Sequence, residues 1–575
     1  METAPLKSFA TWARAALIRE VTARIAVVLA PASPLRVEQP KAVAELEAAI
    51  TAAGGGDKGR RAVADRVAYT WFNRIIALRF MDASGYTGIG IVSPQAGVEV
   101  GQPEILAEAK RANIDHDVVD EKTRETVAGL LNGTRRSGDP QGEAYALLLA
   151  EYCRYWNRSM PFMFEREGDF TELLIPANLL ADDSVLNRAV KVLTENVCQD
   201  VEVIGWLYQF YISERKDEVF AGFKKGKKAG ADEVPAATQL FTPHWIVRYL
   251  VENSLGRLWM LNRPSSRLVE QMAYYVDSIG PEPDFLKVNG PEEIKVIDPA
   301  CGSGHMLTYA FDILYSIYEE EGYAPAEIPG LILSNNLHGV EIDPRAGALA
   351  AFAITMKARE RQRTFFSKQA EPHICVLEPI SFSADELDLL IERGSDRAAG
   401  VEFWNQFVDV GLSGWLTKTI EGQDRFAEPA VDRIVSAGDI FHAALADRVE
   451  RLCAQLKDLS TSFNVIIANP PYMGSRNMDE KLREFADENY PLSKADLYSM
   501  FLDKALNIAD AGAYVAMVTM QNWMYLPSHV GLRTRILKSA SIVSMAHLGT
   551  RAFETISGDV VSTTAVVIRN ATSQN

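Results

Sequence analysis

The chain has 575 residues, 47% of them hydrophobic, which is enough to build several packed cores. Its 59 basic and 76 acidic residues give a net charge of −17, which argues against a protein that grips nucleic acid over its whole surface. We find no apolar run of about 18 residues, no signal peptide and no disulfide or zinc spacing among the five cysteines. The sequence therefore predicts a cytoplasmic protein with no membrane segment and no metal site, and it leaves room for a local basic cleft.

Residues 1–235 predict a mainly helical N-terminal domain. Apolar residues recur at spacings of three and four in 42–50, 62–81 and 184–210. A glycine-flanked lysine cluster then occupies 224–228. Its charge pattern fits a loop that contacts phosphates, but a solvated flexible linker is the more ordinary interpretation of such a run.

From residue 236 to about 570, strands and helices alternate, which predicts an α/β domain with a mainly parallel sheet. An apolar run ending at Ile297 is followed by Asp298-Pro-Ala-Cys-Gly-Ser-Gly304 and then by a helical pattern. This order is typical of the first strand, glycine loop and helix of a nucleotide-binding sheet, although neither the dinucleotide fingerprint nor a P-loop is present. Because Asp298 adds a carboxylate beside the loop, a cationic ligand such as S-adenosylmethionine (SAM) fits better than a pyrophosphate.

Two further segments extend this α/β pattern. The run 339–343 predicts the second strand, with Glu341 as the acid that a nucleotide ribose requires. Residues 381–430 interrupt the strand pattern with amphipathic runs, and we expect a helical insertion there.

Asn469-Pro470-Pro471-Tyr472 follows a buried apolar run, 463–468, and is the most informative stretch of the chain. The prolines fix φ and supply no N–H, so the loop is rigid. It places a side-chain amide, an unpaired carbonyl and an aromatic ring at the carboxyl edge of the sheet. Methylation of an exocyclic amine needs these groups: two acceptors for the amine hydrogens, and a ring face on which a planar base can stack.

Together, the glycine loop and Asn-Pro-Pro-Tyr in this order resemble the γ class of adenine-N6 DNA methyltransferases over about residues 237–570. The stretches 69–80, 204–211, 235–243 and 250–259 are similar to the PglX family of the BREX phage-exclusion systems and extend the resemblance to nearly the whole chain. The resemblance implies a Rossmann-like SAM-dependent methyltransferase sheet, preceded by the helical domain. PglX-like proteins are longer, so the tail 571–575 suggests a truncation or a short form.

The resemblance also implies the site residues. Catalysis is expected from Asn469, Pro470, Pro471 and Tyr472, and a second stacking aromatic from Phe553. SAM is expected to contact Thr242, Pro243, Asp298, Ala300, Gly302, Glu341, Ile342, Asp439, Ile440 and Pro471. The segment around Asp439 is expected to form the third strand. The implied partners are double-stranded DNA, from which the target base is flipped, and other BREX proteins.

Several alternatives stay open from the residues alone. Related loops methylate a protein glutamine amide or cytosine N4. The chain would also fit a SAM-dependent scaffold or switch bound to DNA, or the methylase half of a restriction-modification enzyme. With no segment after the catalytic domain to read base edges, we expect this form alone to bind duplex DNA weakly and with little sequence preference.

Overall fold

The chain divides into two units, Met1–Glu214 with Phe366–Gln369, and Arg215–Phe365 with Ala370–Asn575. The computed structural model describes residues 2–95, 97–98, 101–230, 233–238, 242–278, 280, 282, 285–367, 370–392, 395–420, 423–431, 443–550 and 562–571. The sequence analysis placed a domain boundary near residue 235, and that boundary stays a prediction.

The described residues of the first unit form helices and turns and contain no strand. Several helices begin at a residue whose side chain accepts a hydrogen bond from the first turn, as Asp139 does from Gly142 N and Ser184 from Asn187 N. The helices are Ala4–Val28, Leu35–Glu38, Pro40–Ala52, Gly56–Ala83, Glu104–Lys110, Glu121–Leu131, Pro140–Asn157 and Val185–Val192. The helix Glu202–Lys224 then continues from the first unit into the second.

The second unit is α/β. Its helices are Val234–Thr238, His244–Val251, Arg257–Asn262, His305–Glu320, Ile328–Leu331, Pro344–Arg361, Ala384–Leu390, Arg397–Trp404, Val410–Ser413, Ala443–Ser460, Glu480–Asn489, Leu497–Ile508, Asn522–Tyr525 and Val530–Ser539. Three of them lie in the segment 381–430, where the sequence predicts a helical insertion.

Seven strands form one sheet in the order β3-β2-β1-β4-β5-β7-β6. The strands are β1 Val296–Asp298, β2 Leu337–Glu341, β3 His373–Val376, β4 Phe463–Ala468, β5 Ala509–Met520, β6 Ser541–Gly549 and β7 Thr563–Arg569. Pairing is parallel from β3 to β5, and β7 is antiparallel to both β5 and β6. Every residue of β1, β4 and β7 is buried, as expected for strands covered on both faces. The sheet confirms the predicted α/β class and has the Rossmann-like strand order of the SAM-dependent methyltransferases.

The strand order reverses at β1, which pairs with β2 on one side and β4 on the other. Val296 of β1 lies opposite both Leu337 of β2 and Val465 of β4, so the three carboxyl ends lie side by side. In an open α/β sheet, ligands bind in the crevice at such a reversal. The topology therefore brings together the three segments that the sequence analysis singled out.

One strand was missed. The neighbour of β2 is β3, His373–Val376, which the sequence analysis did not identify. The segment expected to form the third strand, around Asp439, lies outside the described residues, so its role stays a prediction. Within the described residues, no helix combines the length and apolar character needed to cross a membrane.

Candidate active site

The glycine loop after β1 bends sharply at the carboxyl end of that strand. Gly302 and Gly304 both have positive φ, +53° and +84°, a conformation that side chains other than glycine rarely adopt. A Cβ on Gly304 would lie 3.0 Å from Ala350 Cα of the helix Pro344–Arg361, whereas a Cβ on Gly302 would meet no atom within 4 Å. Gly304 therefore permits close packing behind the loop, and Gly302 leaves free space in front of it.

Glu341, the last residue of β2, ties its own strand to the glycine loop. Its Oε2 accepts a hydrogen bond from Gly302 N at 2.8 Å, and its Oε1 accepts from Ile342 N at 2.8 Å and Asp343 N at 3.0 Å. Glu341 is partly exposed, but the surrounding protein desolvates the carboxyl and raises its pKa to about 7. The carboxylate thus fixes the loop while keeping acceptor capacity toward the cleft.

Asp298, at the end of β1, is the second buried acid of the crevice. It is 2% exposed, and its Oδ1 accepts one backbone hydrogen bond, from Ala300 N at 3.1 Å. Desolvation, with a smaller contribution from the charge on Glu341, raises the pKa of Asp298 to about 8. Within the described part of the chain, neither Asp298 nor Glu341 has a basic side chain at ion-pair distance. Two desolvated acids without a cation suit a positively charged ligand, and SAM carries a sulfonium and an ammonium.

The other predicted cofactor residues divide into two groups. Ala300 and Ile342 flank the two acids and are partly exposed. Thr242 is buried, and it and Pro243 immediately precede the helix His244–Val251, which packs on the helix that follows the glycine loop. Asp439 and Ile440 lie outside the described residues, as does Phe553.

The Asn-Pro-Pro-Tyr loop begins where β4 ends, one strand from the glycine loop. Pro470 is buried and Pro471 partly exposed. The Tyr472 hydroxyl lies 2.9 Å from both Asn469 Oδ1 and the Val518 carbonyl oxygen of β5. Burial raises the pKa of Tyr472 well above its usual value of 10, so this hydroxyl stays protonated and able to donate. The tyrosine therefore links the Asn469 amide to the sheet.

Asp496 binds the backbone at the end of the Asn-Pro-Pro-Tyr loop. The sequence analysis did not assign it a role in the site. Its Oδ1 accepts a hydrogen bond from Met473 N at 3.0 Å, directly after the tyrosine, and the same carboxylate begins the helix Leu497–Ile508. Burial raises the pKa of Asp496 to about 7. The sequence signal that could have found it is an aspartate directly before the apolar helical pattern of 497–502.

No group of three or more histidine, cysteine, aspartate or glutamate side chains in the described residues is arranged to hold a metal ion. The candidate site thus consists of two carboxylates beneath the cleft of β1 and β2, and an amide, two prolines and a tyrosine at the end of β4.

The strand order and the two loops at its reversal define the fold of the SAM-dependent methyltransferases. The Eco57I restriction-modification methylase family matches residues 335–553. Over 89% of its length the chain is 36% identical to the adenine-specific methyltransferase BrxX of Escherichia coli O9:H4 (strain HS), and over 88% it is 37% identical to the adenine-specific methyltransferase PglX of Lacticaseibacillus casei (strain Zhang). This confirms the similarity to PglX that the motifs indicated.

The chain spans less than half the length of these curated relatives, 44% of BrxX and 43% of PglX. Among solved structures, the alignment with the DrdV–DNA complex covers 99% of this chain and 42% of the DrdV chain, with 14% identity and a TM-score of 0.42. A similarity at that level adds nothing to the topology described above.

Proposed function

We propose that this chain is the cofactor-binding and catalytic part of a site-specific DNA methyltransferase that transfers a methyl group from SAM to N6 of adenine in double-stranded DNA, within a BREX phage-defence system. The observation that carries the proposal is the position of Asn469 Oδ1, which the Tyr472 hydroxyl holds at 2.9 Å at the end of β4. That amide lies one strand from the acid pair of β1 and β2, and the relatives matched over nearly the whole chain are named adenine-specific methyltransferases.

When bound, SAM supplies an electrophilic methyl group. The acid pair would bind it, with Glu341 toward the ribose hydroxyls and Asp298 beneath the positively charged end. Ala300, Gly302, Ile342, Thr242 and Pro243 would line the same cleft, and Pro471 would close it from the catalytic loop. Asp439 and Ile440 stay proposed contacts to the adenine of SAM.

The amine of adenine is a poor nucleophile because its lone pair is delocalised into the ring. Asn469 Oδ1 and the Pro470 carbonyl would accept its two hydrogens and so favour the tetrahedral nitrogen of the attacking state. With SAM bound, methyl transfer to that nitrogen would form the N–C bond, break the C–S bond and release S-adenosylhomocysteine, and one amine proton would pass to solvent. This catalysis needs positioning and preorganised acceptors, and no dedicated base.

The target base must leave the duplex to reach this loop, and the Tyr472 ring would stack on it once it is flipped. One such stack contributes about 1–3 kcal/mol. The hydroxyl of the same residue has a separate task, because its bonds to Asn469 and Val518 would set the direction in which the amide faces the amine.

A direct test is methyl transfer from tritiated SAM to duplex DNA by the purified chain, followed by digestion to nucleosides and mass spectrometry. We expect N6-methyladenine with the wild type and none with Asn469→Ala. Label in N4-methylcytosine or in protein glutamine would contradict the proposed substrate. Sequencing of DNA modifications in cells with and without the intact gene tests the same assignment in vivo and gives the recognition site.

A further inference from the structure

The lysine cluster lies where the helix Glu202–Lys224 ends. Lys227 N donates to Gly222 O and Gly226 N to Phe223 O, both at 3.0 Å, which is the hydrogen-bond pattern of a Schellman turn. We call residues 224–228 the lysine turn. All four of its lysines are exposed.

One of these lysines has an acidic partner. Lys227 pairs with Glu233 at 2.5 Å. Lys224, Lys225 and Lys228 have no carboxylate within 4.0 Å among the residues that the structure describes. A helix C-terminus favours cations, but that effect is confined to the last turn and the Schellman bonds already occupy two of its carbonyls. Among the described residues, these three exposed ammonium groups thus stand without an acidic partner in a chain of net charge −17, which leaves them available to bind an anionic ligand.

The lysine turn is attached to the segment that follows the catalytic loop. Ala229 N donates to Asn477 O at 3.1 Å, and Ala229 pairs with Met478 in a parallel bridge. Both Ala229 and Met478 are completely buried in one core cluster of the second unit. This attachment does not fit the flexible linker that the charge pattern alone favoured.

The attachment limits the distance between the lysine turn and Asn469, the residue proposed to hold the target amine. Asn477 is eight residues after Asn469, a distance of at most about 29 Å along an extended chain. The path is folded back further, because Gly474 pairs with Asp496, whose carboxylate also binds Met473 N. The exposed Arg476 directly precedes Asn477 and so adds a cation next to the point of attachment. The distance is within the length of about ten base pairs of duplex, roughly 34 Å.

We propose that Lys224, Lys225 and Lys228, with Arg476, form a surface that holds phosphates of the duplex beside the flipped adenine. The inference rests on the proposed function, since it names how that same site grips its DNA. A lysine is a flexible point charge that binds phosphates without reading sequence. Such a surface would fix the backbone on one side of the target while the base leaves the stack.

The test compares two triple variants of the full chain. Lys224→Gln/Lys225→Gln/Lys228→Gln neutralises the lysine turn. Lys295→Gln/Lys457→Gln/Lys538→Gln removes the same charge from three exposed lysines that precede β1, β4 and β6. Those strands run parallel, so the control lysines lie at the sheet edge opposite the site. Unchanged SAM affinity by calorimetry verifies folding of both variants.

DNA binding is measured by fluorescence anisotropy with a labelled 30-base-pair duplex from 50 to 200 mM KCl. Each lost phosphate contact lowers the slope of log K against log salt by about 0.9, so the lysine-turn variant should lose up to about 2.7. At 0.1 M salt this equals roughly an eightfold loss of affinity for each lysine. The control triple should keep the wild-type slope.

A wild-type slope in the lysine-turn variant, or equal reductions in both triples, would overturn the assignment and leave the methyltransferase proposal intact. A wild-type chain that methylates adenine but binds duplex with no salt dependence would overturn it as well. Failure of the wild type to bind or methylate DNA at any salt would instead contradict the proposed function, and this inference with it.

Discussion

Replacing Tyr472 by phenylalanine separates the two tasks proposed for this residue. The ring remains for stacking, and the hydroxyl that lies 2.9 Å from both Asn469 Oδ1 and Val518 O is removed. A hydroxyl has a single hydrogen and cannot donate fully to two acceptors. In one arrangement, the two acceptors share the hydroxyl hydrogen. In the other, the hydroxyl donates to Val518 O, and the Asn469 amide turns its NH₂ group toward the tyrosine and its oxygen toward the target amine. In both arrangements, loss of the hydroxyl removes one hydrogen bond that orients the Asn469 amide.

The expected magnitude follows from one hydrogen bond. A typical bond contributes about 0.5–1.5 kcal/mol, which corresponds to roughly a two- to twelvefold loss in the rate of methyl transfer. The loss should appear in kcat, while the Kd for SAM stays unchanged. Tyr472→Ala also loses the stacking energy, about 1–3 kcal/mol, so its rate should fall roughly ten- to thousandfold.

Single-turnover transfer from tritiated SAM measures the rate, and calorimetry measures the SAM affinity. Tyr498→Phe is a matched control, because its ring centroid lies 6.0 Å from that of Tyr472 and its hydroxyl has a 3.4 Å contact with His529. We expect that control to transfer at close to the wild-type rate. If Tyr472→Phe does so too, the hydroxyl does not orient Asn469. Equally large losses in the phenylalanine and alanine variants would indicate that the ring contributes nothing.

Three further predictions concern the rest of the site. Asn469→Ala should lower methyl transfer at least a hundredfold and leave the SAM Kd unchanged; retained transfer would contradict its role. Asp298→Ala and Glu341→Ala should each weaken SAM binding roughly ten- to hundredfold, since losing a bond to a charged group costs about 1.5–3 kcal/mol. In the wild type, calorimetry should show that SAM affinity rises between pH 6 and 8 and that binding releases protons. The reason is that Asp298 and Glu341, with pKa values of about 8 and about 7, must lose their protons to bind a cation. An affinity that does not change with pH would contradict the role of these two acids in SAM binding. Gly304→Ala should destabilise the fold by about 1–3 kcal/mol in thermal unfolding. Gly302→Ala also places alanine at a positive φ, but its Cβ would meet no atom within 4 Å. It should therefore lower the stability less than Gly304→Ala does, and it should weaken SAM binding more, because the added methyl group occupies the free space in front of the loop.

The parts of the site that could be predicted depend on local chemistry. A buried run followed by Asn-Pro-Pro-Tyr predicts a strand and a rigid loop from the ten adjacent residues 463–472, and β4 ends at Ala468 as expected. The glycine loop is local in the same sense, and the structure places positive φ at Gly302 and Gly304. In both cases the side chains that define the element are neighbours in sequence.

What could not be predicted depends on distant pairing. The strand β3 has four residues, none fully buried, and its apolar run, 374–377, is short and follows the exposed His373, so it gives a weak signal for a strand. The bonds from Tyr472 to Val518 and from Ala229 to Asn477 join residues far apart in the chain. Only the fold brings them together, and the lysine turn had no distinguishing feature beyond its charge until its attachment was known.

The acid pair, Asp298 and Glu341, acts through its ionisation, whereas the Asn-Pro-Pro-Tyr loop acts through its geometry. Desolvation raises the pKa of both acids, and the backbone hydrogen bonds, three to Glu341 and one to Asp298, oppose that rise because they favour the charged form. Folding raises both pKa values, so the cofactor-free chain loses stability as the pH rises from about 4 toward 8, and a cation in the cleft counteracts this loss. The catalytic loop, by contrast, supplies acceptors and a protonated tyrosine, with Asp496 as its buried titratable support. The acid pair should therefore determine the pH dependence of SAM capture, whereas the transfer step should depend on pH only through the rigidity that Asp496 gives the loop.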